Sequence, residues 1–211
     1  MRIAVCGTKG GSGKSTLAGL LALCFADAGK GVLAVDADPQ ATLTTWMRSV
    51  GGIQTTINCG QDEIFPAGTR LGAEVKDGTH IRIIDFPPAS PDALLKIMKG
   101  AMGTRGEMSD WFDVLLVPCR PALADIWSIR SFLEKLDGYK GKVRLVMNAL
   151  DNSSISKAGS IDTLLKGIKT PRTKATLSRR ACYSYAMAGG WPALDEKAKS
   201  EVLSLALELS Q

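Results

Sequence analysis

A single histidine, His80, occurs in 211 residues, and the five cysteines stand alone at positions 6, 24, 59, 119 and 182. With no C-x-x-C pair and an odd count, neither a disulfide framework nor a zinc site is expected. Cys6, Cys24 and Cys119 lie within apolar runs and read as small core residues. His80 has no visible ligand partner. Aromatic residues make up only 6% of the chain. Trp46, Trp111, Trp127 and Trp191 are scattered, which suits core and rim packing better than a stacking platform. Long hydrophobic runs are also missing. The most apolar stretch, 17–25, is too short to span a bilayer, and the start MRIAVCG lacks a signal-peptide core. The expected setting is reducing and cytoplasmic. A last absence is local: no Asp or Glu occurs between 163 and 194, where Lys166, Lys169, Arg172, Lys174, Arg179 and Arg180 stand near Tyr183 and Tyr185. That stretch is either a patch for DNA phosphates or a solvated basic face. The net charge of +5 favours weak contact with polyanions without establishing it.

What is present is ordinary globular material, 45% hydrophobic and 22% charged, in a length that suits one well-buried domain. Short apolar runs at 2–6, 32–35, 81–84, 113–118 and 143–147 read as buried strands. Helical patterns at 14–28, 91–102, 124–136 and 195–209 separate or follow them. Gly29 is placed to close the first helix. Non-alternating apolar strands spaced by helices predict a mostly parallel twisted sheet covered on both faces, an α/β three-layer fold. The pattern is least readable over 50–80.

The segment Thr8-Lys9-Gly10-Gly11-Ser12-Gly13-Lys14-Ser15-Thr16 follows a strand and opens a helix, the context a phosphate loop requires. Its glycines let backbone N–H groups turn inward as an anion nest, and the helix N-terminus adds free donors and its dipole. Lys14 is expected to reach the β- and γ-phosphates. The Ser15 hydroxyl is expected to ligate Mg²⁺, and Thr16 to hold the α-phosphate. Thr8 stands where the usual loop begins with glycine, and Lys9 is an extra lysine near its start.

These residues resemble the deviant phosphate loop of the ParA/MinD ATPases. Three further segments extend the resemblance. Asp36-Ala37-Asp38-Pro39-Gln40 is similar to the family's second acidic motif. Asp85-Phe86-Pro87-Pro88 is similar to its Walker B segment, with Phe86 in place of threonine and an expected effect on how that loop senses phosphate. Leu116-Val117-Pro118 is similar to the next strand end. As a short chain without an N-terminal helix-turn-helix, the sequence most resembles the small ParF-type plasmid partition ATPases, with 1–211 forming one P-loop ATPase domain.

The resemblance implies ATP and Mg²⁺ as cofactors, weak partner-stimulated hydrolysis, and a homodimer formed on ATP. It implies that Lys9 crosses to the partner copy's nucleotide, that Asp38 polarises the attacking water, and that Asp36, with Ser15 and Asp85, serves the Mg²⁺ network. For Asp36 and Asp38 the alternative is an ordinary turn. Asn148 stands where the family often contacts adenine, though a turn asparagine explains it equally. Leu177-Ser178-Arg179-Arg180 is a looser match to the base-contacting loop, with Ser178 in place of proline. Arg172, Lys174, Arg179 and Arg180 are the candidate DNA contacts, with Arg172 and Lys174 first.

The implied role is partition of plasmid or other mobile DNA, with non-specific DNA binding, nucleoid association and a ParB-like or other adaptor. The alternatives are positioning of a protein cluster or conjugation complex, and a MinD-like membrane switch. The mixed charge of 195–203 speaks against membrane docking. An iron–sulfur reductase would need paired cluster cysteines, which Cys59 and Cys119 do not supply.

Overall fold

The computed structural model describes residues 1–58, 79–102, 112–136, 142–151 and 162–211. Cys59 and Trp111 lie outside them, as does the side chain of His80. Six strands form one parallel sheet: β1 (Arg2–Val5), β2 (Gly31–Asp36), β3 (Gln54–Asn58), β4 (Thr79–Asp85), β5 (Val114–Cys119) and β6 (Val143–Met147). Their order is β3-β2-β4-β1-β5-β6, with Ile3 facing both Ile83 of β4 and Val114 of β5. The helices are α1 (Lys14–Asp27), α2 (Thr42–Val50), α3 (Pro91–Met102), α4 (Leu123–Lys135), α5 (Cys182–Gly189) and α6 (Glu196–Leu209).

Strand periodicity divides the core in two. Ile3, Val5, Val32, Ala34, Ile81, Ile83, Leu116 and Val146 face one side, where α1, α2, α5 and α6 pack. Ala4, Cys6, Leu33, Val35, Ile84, Phe86, Leu115, Val117, Leu145 and Met147 face the other, against α3 and α4. Because both faces are covered, the strands are apolar without alternation. Cys6, Cys24 and Cys119 are buried, as expected of core residues. Phe86 is fully buried and packs edge-on against Phe112 with ring centres 6.0 Å apart. Its ring therefore belongs to the core, and the expected influence on phosphate sensing does not follow from its position.

α1 is apolar around most of its circumference because sheet and helices enclose it. It ends as glycine chemistry dictates. Gly29 takes φ 72°, its N–H donates to Ala26 O at 2.9 Å, and the Lys30 N–H donates to Phe25 O at 3.0 Å, the paired bonds of a left-handed cap. Of the strands and helices named above, α2, α5 and the edge strand β3 escaped the sequence reading. The chain at 171–179 then runs along β6. Leu145 N–H donates to Pro171 O, Thr173 N–H to Leu145 O, and Leu177 N–H to Met147 O, at 2.9–3.0 Å. This pairing covers the β6 edge and carries Ser178, Arg179 and Arg180 to the C-terminal side of the sheet.

Candidate functional site

The strand order reverses at β1, which has β4 on one side and β5 on the other. Open α/β sheets bind ligands outside the strand C-termini at such a reversal. The β1–α1 loop lies there. Gly11 and Gly13 adopt φ 69° and 91°, a region that penalises any side chain. At Gly13 a Cβ would also stand 2.0 Å from Asn148 Nδ2. That close approach follows from the hydrogen bond Asn148 Nδ2 donates to Ser12 O at 2.9 Å. Asn148 Oδ1 accepts from Ala149 N–H at 2.8 Å. The asparagine thus braces the phosphate loop while it lines the adjoining cavity.

Lys14 is buried and donates to Lys9 O at 3.0 Å. Burial draws its pKa down, while Asp85 and Asp38 oppose that shift. Asp85, at the end of β4, is fully buried, and neither of its oxygens completes a hydrogen bond among the described residues. Burial dominates and lifts its pKa to about 7, although the nearby Ser15 hydroxyl and Lys14 pull it down. A buried carboxylate without a donor, beside a hydroxyl and a phosphate loop, fits a hard divalent cation. Ser15 and Asp85 would hold Mg²⁺, which would neutralise charge on a bound triphosphate.

Asp36 has a different occupation. Its Oδ2 accepts from Thr44 N–H at 2.9 Å and its Oδ1 from Asp38 N–H at 3.0 Å. It therefore closes the turn and satisfies the first turn of α2. Burial raises its pKa against those two bonds. Asp38 is half-buried at the mouth of the site, with Oδ1 accepting from Gln40 N–H at 3.0 Å.

Lys9 turns away from its own loop. Its Nζ lies 3.0 Å from Asp125 Oδ1 of α4, and its side chain keeps 37% exposure. Arg120 joins the same oxygen at 3.2 Å, and Thr8 Oγ1 donates to Ser128 O at 2.8 Å. Burial raises the Asp125 pKa, but its bonds to Lys9 and Arg120 outweigh it and hold the carboxyl below the usual range. Arg120 and Asp125 were not singled out from sequence. The position of Arg120, immediately after a strand end, was the available signal.

A cavity of about 410 Å³ opens beside the loop, lined by Gly11, Ser12, Gly13, Thr16, Arg120 and Asn148 on one side. The opposite wall is Ser178, Arg179, Arg180, Tyr183, Ser184 and Met187. A larger groove of about 500 Å³ lies between α4 and 167–171, and it contains no phosphate-loop residue. Of the candidate DNA residues, Arg180 pairs with Glu201 at 2.6 Å and Arg172 with Asp162 at 3.0 Å. Arg179 and Lys174 are exposed. The acid-free stretch is thus partly neutralised by carboxylates that sequence order places outside it.

Comparison with known proteins agrees with this geometry. A Rhizobium rhizogenes protein described as replication protein A is 32% identical over 144 residues, covering 57% of this chain and 35% of that protein. The chain spans about a third of the length of the curated relatives it matches. The fold superposes on a chain of the MinC:MinD cell division protein complex of Aquifex aeolicus with TM-score 0.71, 18% identity and coverage of 99% and 95%. It also superposes on a protein of Borrelia burgdorferi B31 described as a plasmid partition protein, bound to AMPPNP, with TM-score 0.67, 18% identity and coverage of 99% and 97%. At such identities the likeness shows the fold. Residues 3–188 match the CobQ/CobB/MinD/ParA nucleotide binding domain, and the chain belongs to that family.

Proposed function

We propose that this P-loop ATPase is a partition-type switch that dimerises on Mg–ATP, binds DNA without sequence preference, and is released when an adaptor protein stimulates hydrolysis. The observation that carries the reading is the position of Lys9. Lys14 already serves the loop from within, while the Lys9 ammonium projects sideways onto α4 and stays partly exposed. A cation held at the rim can reach a second copy's phosphates once its pair with Asp125 opens. There it would neutralise charge on the transferring phosphoryl group, a contribution of about 10³–10⁵ in rate in related chemistry. Asp38 would orient the water from the mouth of the site. Plasmid or other mobile DNA is the proposed cargo, with the protein cytoplasmic and nucleoid-associated.

The test is light scattering and ATP turnover with Lys9→Ala. The variant is expected to bind ATP normally, to remain monomeric with ATP, and to lose most turnover. A variant that dimerises and hydrolyses like the parent would remove Lys9 from this role.

One observation favours a second reading. Leu203 and Leu207, one turn apart on α6, are 45% and 57% exposed, as a membrane-touching face would require. Pelleting with anionic liposomes in ATP separates the two: the partition reading expects the protein in the supernatant.

A further inference from the structure

We propose that Glu201 of α6 is a positioning residue for the nucleotide base, holding the wall of the cavity that faces the phosphate loop. The proposal rests on the ATPase reading above and takes the cavity that joins the phosphate loop, Asn148 and 178–183 as the place of the ATP base. The wall at 178–180 belongs to no helix or strand, and its backbone is tied to the sheet only through the bridge to Leu150 among the described residues. An irregular segment of this kind is costly to order unless something outside it supplies partners.

Glu201 supplies them. Its Oε2 accepts from Ser178 N–H at 2.9 Å, and its Oε1 from Ser178 Oγ at 2.7 Å. Arg180 grips both oxygens, Nε to Oε2 at 3.2 Å and Nη2 to Oε1 at 2.6 Å. Tyr183 Oη donates to Oε2 at 2.7 Å. One carboxylate therefore fixes three residues that line the cavity, with the bidentate fork supplying orientation as well as energy. The helix that bears it is itself anchored, since Val202, Leu205 and Ala206 are buried in the core beside α1. Two turns further on, Glu208 accepts from Lys174 and Ala175 N–H groups at 2.9 Å, outside the cavity. Glu201 is consequently the point where a rigid helix sets the distance between this wall and the phosphate loop. Burial raises its pKa, but the donations from Arg180, Ser178 and Tyr183 prevail and hold it at about 2, so the clamp stays ionised at neutral pH.

A base held between these walls contributes affinity that the triphosphate alone does not. Calorimetric titration with Mg–ATP and with Mg–tripolyphosphate, which has no base, separates the two contributions. Glu201→Gln is expected to lose about tenfold in ATP affinity and to keep its affinity for tripolyphosphate. Tyr183→Phe, which removes one donor and little volume, should shift the same ratio in the same direction by less. If the ratio of the two affinities is unchanged in both variants, Glu201 only braces the fold and the proposal fails. Should Glu201→Gln not fold, the Tyr183→Phe ratio decides alone, and an unchanged value overturns the proposal. Parent protein that binds tripolyphosphate as tightly as ATP overturns it too, while leaving the phosphate loop intact. Parent protein that binds neither overturns this proposal and the ATPase reading together.

Discussion

Asp85 ends a strand with both carboxylate oxygens buried and undonated among the described residues. Its pKa rises on folding to about 7. A carboxyl raised in this way leaves stability unaffected below its unfolded value of 3.8, destabilises the fold progressively as pH climbs from there to about 7, and carries a constant cost above that. Asp85→Asn keeps the shape and removes that charge. At pH 8 without nucleotide, the variant is expected to gain about 1 kcal/mol, or roughly 2–4 °C in Tm. It should also lose the tightening of ATP binding by Mg²⁺. Thermal melts and ATP titrations with and without Mg²⁺ check both, and a variant melting lower than the parent would show that Asp85 is paired in the free protein. The identity of this residue was legible in sequence because a strand end and an adjacent phosphate loop define it. Asp36 was legible only as part of a motif: the spacing of Leu43, Trp46, Met47 and Val50 marks α2 as a helix, but it does not place that helix's first turn against the Asp36 carboxylate.

Among the elements, α1 and β1 were readable because strand, glycine loop and closing Gly29 follow one another along the chain. The unread elements owe their structure to distant partners. The ring of Trp46 on α2 lies so close to Gly19 of α1 that a Cβ there would meet it at 2.1 Å. Its Nε1 donates to Ala186 O of α5 at 2.8 Å. Those contacts fix α2 and α5 against the core, and nothing local in the sequence encodes them.

The joint between α6 and the 178–183 segment is of the same kind, and it is pH-sensitive. Glu201 has a folded pKa of about 2, below its ordinary 4.5. Its stabilisation is therefore fully present above pH 4.5 and is lost as pH falls from about 4.5 to about 2. Glu201→Gln lacks the ionised clamp throughout. Denaturant melts at stepwise pH should show the parent more stable than the variant at pH 6, with the gap narrowing through that window and closing near pH 2. A gap that stays constant with pH would mean that the charge of Glu201 contributes nothing to the joint.

On the scale of the whole molecule, charge is where sequence order and spatial order part company. The stretch 163–194 has no acid along the chain, yet the fold brings Asp162 to Arg172 and Glu201 to Arg180. Arg179 lines the cavity beside the phosphate loop. The ammonium groups of the exposed Lys166, Lys169 and Lys174 form no ion pair with a carboxylate among the described residues, although the Lys174 backbone N–H donates to Glu208. DNA binding through this surface would therefore run on lysines, with Arg172 contributing less because an exposed carboxylate already offsets it. Few cations per copy make a weak monomer. An ATP-dependent dimer would double the phosphates met at once, and each phosphate neutralised steepens the log–log salt dependence by about 0.9. Lys169→Ala with Lys174→Ala is expected to flatten the slope by about 1–2 per copy, to weaken binding to all sequences alike, and to leave ATP binding unchanged. Arg172→Ala should flatten it by less than either lysine. Fluorescence anisotropy with two unrelated duplexes, across a salt series with ATP, with ADP and with no nucleotide, measures all of this. Binding that ignores nucleotide state would detach this surface from the ATP switch, and no binding in any state would leave it a solvated basic face.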